Sequence, residues 1–173
     1  MEFEIVGWPN ESPTLDLDHN HFPYAGKFVM SNTGKAICTQ NGSIIGAIAF
    51  NEDRTDPDVL WFRYITVHTE YQGKEIGPKL ARYTAQHATN ASYQAIKIAV
   101  NNPFAYHALY KAGFSFTGEQ TGIAELILRY PSASDTYQSG LTIFEQRNGL
   151  TTEEKAFIQQ KQGQESPQTV SVN

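Results

Sequence analysis

Two periods of apolar spacing alternate along the chain, and they predict the order of its elements. Strand-length apolar runs occupy residues 3–8, 35–40, 43–51, 60–68 and 95–100. Apolar residues recur at helical spacing after Pro78, and a second helix is predicted from Pro103 to a terminating Gly113. Residues 114–118 and 123–129 resemble a closing hairpin. This order predicts an α/β fold, in which helices flank a mixed, mainly antiparallel central sheet.

Turn and capping residues mark the boundaries between these elements. Asn41-Gly42 separates two apolar runs and is the strongest short signal for a hairpin. Thr151 and Glu154 form a capping-box pattern that predicts a short helix. The last residues, 163–173, are polar and are expected to form a disordered tail.

Length and composition limit the class of protein. The 173 residues fit one substantial core, and we assign residues 1–130 to the main domain and 131–173 to a C-terminal extension. The single cysteine, Cys38, excludes a disulfide framework and is expected to be a small buried side chain in a strand.

Charge and hydropathy limit the partners. The net charge of -5 argues against a nucleic-acid partner, and no apolar run is long enough to predict a membrane span or a signal peptide. We therefore expect a cytoplasmic protein. The N-terminal segment contains metal-ligand residue types, but a polar loop is the more common arrangement, so we predict no metal site. These residues are Asp16, Asp18, His19 and His21.

The segment from Tyr71 to Gly77, YQGKEIG, connects a predicted strand to a helix. A glycine-containing turn that leads into a helix gathers free backbone N–H groups and the positive end of the helix dipole at one point. Gly73 and Gly77 permit a tight turn, and Lys74 adds positive charge. The segment therefore has the properties of a phosphate-binding loop, although it lacks the nucleotide P-loop pattern.

A second segment, NNPFAYHALYKAGF, gives this loop a family context. Together the two segments resemble the GNAT superfamily of acetyl-CoA-dependent N-acetyltransferases, over about residues 35–129. The first family motif is an Arg or Gln followed by a glycine-containing turn, and the second is an Asn followed by a short helix that ends in Gly-Phe. The matching residues are Gln72, Ile76, Gly77, Asn102, Ala105, Lys111, Gly113 and Phe114.

The resemblance implies a GNAT-like acyl-CoA N-acyltransferase fold with acetyl-CoA as donor, and it implies a mechanism. The pantetheine arm would lie between the strands at residues 64–67 and 98–101. A backbone N–H of Ile65 or Val67 would polarise the thioester carbonyl, and the Asn102 side chain would contact the cofactor. The pyrophosphate would bind the amides of Gln72, Gly73, Lys74, Glu75, Ile76 and Gly77. A primary amine would attack directly, and a tyrosine would protonate the leaving thiolate.

The sequence departs from the family pattern at two positions. Glu75 replaces the first motif glycine, which removes conformational freedom and adds a carboxylate near the pyrophosphate. Leu109 occupies the position of the usual tyrosine. Tyr110 and Tyr106 are therefore the candidate acids, with His107 as a third proton donor in reach.

Several points stay open at the level of sequence. Trp61 stands where some family members have a glutamate base, so His68 and Glu70 are the nearest titratable candidates. The Glu75 and Leu109 departures leave a second hypothesis, an acyl-CoA-binding regulatory module with little turnover. The acceptor is a small-molecule or protein amine of unknown identity, and a homodimer is among the states allowed. An acidic, aromatic N-terminal segment would suit a cationic amine.

Overall fold

The computed structural model describes residues 1–172 of the chain. It contains seven strands, all belonging to one sheet, and four α-helices. Their bounds are β1 Glu2–Gly7, β2 Gly34–Gln40, β3 Ser43–Glu52, β4 Val59–Val67, α1 Ile76–Asn90, β5 Ala95–Val100, α2 Pro103–Lys111, β6 Ser115–Gln120, β7 Leu126–Tyr130, α3 Tyr137–Glu145 and α4 Thr152–Lys161. The chain divides into two compact units, and the boundary falls inside β5, between Ile96 and Lys97.

The first unit is built on an antiparallel meander of β1, β2, β3 and β4. Asn41 and Gly42 join β2 to β3 with φ angles of 52° and 79°. Positive φ at both central residues is what a type I′ hairpin turn requires, so the predicted hairpin is confirmed. Cys38 is fully buried in β2, and burial raises the pKa of its thiol to about 11.

Different elements pack against the two faces of this meander. Helix α1 lies on the face of Gly46, where a Cβ would come within 3.1 Å of Ile76 Cγ2. Side chains of a strand alternate between faces, so Ala47 and Ala49 point to the other side. There the irregular N-terminal segment contributes buried apolar residues to one cluster with β2 and β3. Its members include Leu17, Phe22, Ala25, Phe28 and Ile37.

Lys35 in β2 ties that N-terminal segment to the sheet. Its side chain is fully buried, and its ammonium donates to the carbonyls of Pro13, Met30 and Thr33 at 2.7, 2.8 and 3.0 Å. Three carbonyls satisfy the three donors of an ammonium group. Burial nevertheless lowers the pKa of Lys35. The segment is thus held by hydrogen bonds as well as by apolar contacts.

A β-bulge interrupts β4 halfway along its length. Ala49 pairs with Tyr64 and Phe50 pairs with Phe62, so Arg63 is an extra residue without a partner on β3. A bulge bends a strand and redirects the side chains around it. In this chain it presents Arg63 to solvent beside Trp61.

The second unit contains α2, the antiparallel β6–β7 hairpin, α3 and α4. The predicted capping box of α4 is present, with Thr151 and Glu154 exchanging hydrogen bonds of 2.9 and 3.0 Å. Residues 162–172 contain no helix or strand, and Val170 N–H donates to Lys111 C=O at 2.8 Å.

Helix α3 is the element that the sequence prediction missed. The segment after Pro131 is rich in Ser, Thr and Tyr, which is typical of a linker. The helix also contains Gly140 and the β-branched Thr142, which are poor helix formers. Packing explains the glycine, since a Cβ at Gly140 would lie 2.2 Å from the Tyr106 hydroxyl. A tertiary contact therefore overrides the local preference.

The predicted fold class is confirmed. The pairs β1–β2, β2–β3, β3–β4 and β6–β7 are antiparallel, and all the other predicted strands and helices form within a few residues of their expected bounds. Within residues 1–172, no helix is both long and apolar enough to cross a bilayer.

Candidate active site

The loop between β4 and α1, residues 68–75, has the backbone geometry of a turn that ends in a helix N-terminus. His68 Nδ1 accepts a hydrogen bond from Glu70 N–H at 3.1 Å, which caps a short 3-10 turn. Gly73 follows with φ of 80°. Glu75 then adopts the left-handed conformation, with φ of 64° and ψ of 20°, and α1 begins at the next residue.

Glu75 is strained by this conformation. A side chain at positive φ costs about 1–2 kcal/mol relative to glycine, and Glu75 makes no side-chain capping hydrogen bond to α1. The chain therefore keeps a costly backbone angle where the family has glycine. Strained residues cluster at ligand sites, so the positive φ of Glu75 favours a ligand site at this loop.

Backbone donors at the start of α1 are available to a ligand. Lys79 N–H is the first to bond within the helix, to Glu75 C=O at 3.1 Å, and Pro78 has no N–H. Across residues 1–172, the N–H groups of Ile76 and Gly77 have no protein acceptor. Together with the helix dipole, they form an anion-binding point.

Gly77 leaves room at that point. A Cβ there would meet only Val67 Cγ2, at the ordinary contact distance of 3.8 Å, and a Cβ at Gly73 would meet nothing within 4 Å. Packing of the chain itself therefore does not require glycine at Gly77. The space beside Gly77 is therefore open to a ligand that approaches the backbone closely.

The surroundings of the loop supply positive charge and anchoring. Lys74 Nζ lies 5.3 Å from the centre of the Tyr71 ring. The His68 ring stacks on His21 with centroids 4.6 Å apart, and Thr69 N–H donates to His21 C=O at 2.9 Å. The N-terminal segment thus fixes the start of the loop. His68, a candidate base, already uses Nδ1 for capping.

The predicted donor residues on β4 are ordered by pairing with β3. Ile65 pairs with Ile48 and Val67 pairs with Gly46, and both β4 residues are half-buried. They lie between the bulge at Arg63 and the loop, on one continuous stretch of backbone.

Asn102 begins α2 in the second unit. Its Oδ1 accepts a hydrogen bond from Ala105 N–H at 2.8 Å, and Pro103 occupies the first helical position. This is an ordinary N-cap arrangement. The Asn102 amide also donates to Asn101 Oδ1 at 3.2 Å, so the residue predicted to touch the cofactor has a capping role as well.

Tyr106 lies in the core of the second unit. Its side chain is fully buried, its ring stacks on Tyr137 with centroids 5.8 Å apart, and its hydroxyl lies 3.0 Å from the carbonyls of both Thr136 and Tyr137. Burial and the nearby Tyr110 hydroxyl raise its pKa well above the usual range. Tyr106 therefore keeps its proton within a buried network of hydrogen bonds.

The Tyr110 hydroxyl is part of the same network. It accepts from Phe116 N–H at 2.8 Å and lies 2.7 Å from Thr136 Oγ1. Because the Thr136 hydroxyl donates to Phe116 C=O, the Tyr110 hydroxyl must donate to Thr136. Both the donor and an acceptor site of Tyr110 are thus used in joining α2 to β6 and α3.

His107 is neutral at physiological pH. Burial, and then the charges of Lys161 and Lys111, lower its pKa to about 4. Its Nδ1 lies 2.7 Å from the Tyr137 hydroxyl, whose own pKa is raised to about 12 by burial. Tyr137 therefore donates to His107, and the remaining proton of the imidazole is on Nε2.

The first unit has a groove that the sequence did not predict, and we call it the β3–β4 groove. It has a volume of about 690 Å³ and lies beside the bulge. Cationic side chains, carboxylates and aromatic rings line it, including Lys27, Thr33, Asp53, Trp61, Arg63 and Tyr64. The signal in the sequence was the single charge inside the strand LWFRYITVH, at Arg63.

Comparison with known proteins identifies the family and supports the fold. Residues 2–114 match the family model described as Acetyltransferase (GNAT) family. No match was found among curated proteins.

Two solved structures share the fold. An IAA acetyltransferase from Bacillus cereus has 23% identity and a TM-score of 0.55, over 74% of this chain and 97% of that one. A putative acetyltransferase from Salmonella typhimurium, solved with its cofactor acetyl-CoA, has 16% identity and a TM-score of 0.51, over 59% of this chain and 66% of that one. Since the family model covers well over half of the sequence, this chain belongs to the GNAT family of acetyltransferases.

Proposed function

We propose that this protein transfers an acetyl group from acetyl-CoA to a primary amine of a small molecule or a protein. The observation that carries the proposal is the start of α1, where unpaired N–H groups, the helix dipole and an unfilled space at Gly77 coincide. Family membership makes acetyl-CoA the donor and an N-acetyltransferase the class of enzyme.

The donor site uses the β4–α1 loop of the first unit. The amides of Gln72 through Gly77 would bind the pyrophosphate oxygens, and Lys74 would add charge. Backbone N–H groups of Ile65 or Val67 would hold the carbonyl oxygen of the acetyl group, as preorganised donors for developing negative charge. Asn102 of the second unit is a further contact expected from the family resemblance.

When bound, acetyl-CoA supplies an acetyl thioester, so that the amine nitrogen forms a C–N bond as the C–S bond breaks, with one proton leaving the nitrogen and one joining the thiolate. Tyr110 is our candidate for delivering the second proton. Its hydroxyl already donates to Thr136 and accepts from Phe116 N–H, so the bond to Thr136 must break before it can donate to the thiolate. Asp53 is a weak candidate base, because hydrogen bonds from Trp61 and Thr55 lower its pKa to about 2.

The proposal is tested by release of free thiol from acetyl-CoA in the presence of amino acids, peptides, polyamines or aminoglycosides. Calorimetry should show acetyl-CoA binding with a Kd in the micromolar range, about -8 kcal/mol at 1 μM. Tight binding without turnover on any acceptor would favour a regulatory module. No binding at millimolar acetyl-CoA would contradict the proposal. A cytoplasmic location remains a prediction from the sequence, which leaves the oligomeric state open.

A further inference from the structure

The β3–β4 groove has a charge pattern opposite to that of the chain as a whole. The chain carries a net charge of -5, yet three cationic side chains line this one groove, from Lys27, Arg54 and Arg63. Two carboxylates, from Glu52 and Asp53, also reach it. Which ligand the groove can hold depends on which of these charged groups keep hydrogen-bonding atoms available to it.

Both carboxylates accept hydrogen bonds from neutral neighbouring groups, which hold them in place and leave their charges uncancelled. Asp53 Oδ1 accepts from Trp61 Nε1 at 2.7 Å, and its Oδ2 accepts from Thr55 N–H and from the Thr55 hydroxyl at 3.0 and 2.9 Å. Glu52 accepts from the Tyr93 hydroxyl at 2.9 Å. Their hydrogen bonds thus serve the fold.

The Arg63 guanidinium is held in place by neutral groups, and the charge of Asp53 also acts on it electrostatically. Its Nε donates to Asn51 Oδ1 at 2.6 Å, and its charged carbon lies 5.3 Å from the centre of the Trp61 ring. Among residues 1–172, Arg63 forms no ion pair with a carboxylate. A guanidinium fixed through Nε keeps its two terminal nitrogens for a planar anion, and it matches a carboxylate with two parallel hydrogen bonds.

Two other residues of the groove add to this pattern. Lys27 Nζ lies 5.6 Å from the centre of the Tyr64 ring, which gives the groove a second cation next to an aromatic surface. Thr33 is 5% exposed, and its buried hydroxyl has no hydrogen-bond partner among residues 1–172. A buried hydroxyl without a partner is a feature that an ordered water would satisfy.

We propose that the β3–β4 groove binds a carboxylate of the acceptor, which makes the acceptor a small amine of the amino-acid class, with Arg63 as its specificity-determining residue. This rests on the proposed N-acetyltransferase function. The acidic N-terminal segment had suggested a cationic acceptor, whereas the acceptor proposed here carries a negative charge. In that segment Asp18 accepts a hydrogen bond from Asn20 N–H at 2.9 Å, and Phe22 is buried in the core.

The experiment compares matched acceptors on the full chain. Each amino acid is paired with its own carboxamide, which keeps the amine and removes the negative charge, and polyamines form a third group. We expect kcat/KM for at least one amino acid to exceed that for its amide by about tenfold or more, the gain of one charge-assisted pair. Phosphate-bearing amines are included, because an arginine also binds phosphate.

Arg63→Gln should remove this preference by lowering kcat/KM for the acid and not for the amide. Its acetyl-CoA affinity, measured by calorimetry, should stay unchanged. Lys155→Gln removes one exposed positive charge from α4 and is the matched control, with the preference intact. A second readout is direct binding of an N-acetyl amino acid, which should stabilise the native protein against heat and should fail to do so in Arg63→Gln.

The outcomes separate this inference from the proposed function. Acetylation of polyamines or amides in preference to acids, or an equal loss for both in Arg63→Gln, overturns the groove assignment and leaves the enzyme in place. A preference for phosphate-bearing amines over carboxylates also overturns it. If acetyl-CoA binds and no acceptor reacts, absence of N-acetyl amino acid binding overturns it. Failure of acetyl-CoA to bind contradicts the proposed function instead.

Discussion

The β4–α1 loop and the aromatic cluster of α2 and α3 differ in whether the space beside their glycines is filled and whether their polar groups are hydrogen-bonded. At Gly77 the missing side chain leaves space that the chain does not fill, and at Gly140 it leaves space that the Tyr106 hydroxyl fills. The loop presents backbone donors without acceptors. The hydroxyls of the cluster, by contrast, are bonded to neighbouring groups within it.

This difference separates residues kept for a ligand from residues kept for the fold. Unfilled space at Gly77 and unpaired donors at the start of α1 stabilise nothing in the chain itself, so their value must come from something that binds. A glycine in van der Waals contact and a saturated hydroxyl network stabilise the native state directly. Substitutions in the two regions should therefore move different measurements.

The largest expected effect is at Gly140. Gly140→Ala places a methyl group 2.2 Å from the Tyr106 hydroxyl and 2.3 Å from its ring, so α3 or Tyr106 must shift. We expect a loss of about 3 kcal/mol in the free energy of unfolding, typical of severe overpacking. Chemical denaturation measures it. Gly122→Ala is the control in the same unit, because a Cβ there meets nothing within 4 Å. Equal stabilities of the two variants would contradict the packing account.

Tyr110→Phe tests both roles of one hydroxyl. Removing it leaves the buried Phe116 N–H without its acceptor, which should cost about 1–3 kcal/mol of stability. If Tyr110 also protonates the thiolate, turnover of the folded variant should fall about 100-fold at unchanged acetyl-CoA affinity. Full turnover in a destabilised Tyr110→Phe would assign the residue to the fold alone.

Acid should destabilise the second unit through His107. Its folded-state pKa of about 4 is below the ordinary 6.5, so the unfolded chain takes up the proton first. Stability contributed by neutral His107 is complete above pH 6.5 and is lost as the pH falls towards 4. After discounting for partial exposure, we expect a loss of about 2 kcal/mol. His107→Gln should flatten the pH dependence of unfolding, and the exposed His19→Gln should not.

Glu75 gives the smallest expected change in stability. Glu75→Gly relieves a positive φ and should raise the free energy of unfolding by about 1 kcal/mol. Glu75→Gln keeps the strain and removes only the charge, so it should not show that gain in stability. A carboxylate directed to solvent predicts equal acetyl-CoA affinity in the Gln variant. Tighter binding that weakens with salt would show repulsion of the pyrophosphate instead.

Local patterns were sufficient for most of the fold. The Asn41-Gly42 turn and the Thr151 capping box depend on neighbouring residues only, so the sequence predicts them directly. The glycines of the β4–α1 loop were visible for the same reason. Helix α3 was not, because Gly140 reflects a contact with Tyr106, 34 positions earlier in the numbering of the chain.

Features of the candidate site that depend on neighbouring residues in the sequence were predictable, and features that depend on the folded structure were not. Residue spacing identified the phosphate-binding loop. It could not reveal that Tyr106 and Tyr110 are buried in one hydroxyl network, nor that a bulge aims Arg63 beside Trp61. Burial and register are properties of the assembled sheet and helices.

The central claim is that the start of α1 is shaped for the pyrophosphate of acetyl-CoA. Calorimetric titration of acetyl-CoA into Gly77→Ala tests it most directly, because alanine fits the protein and fills only the space kept for the ligand. The account predicts a variant that is as stable as the natural chain, or more stable by up to about 1 kcal/mol. It also predicts binding weakened by about tenfold or more, a loss of at least about 1.4 kcal/mol. Unchanged acetyl-CoA affinity in a stable Gly77→Ala would contradict the account.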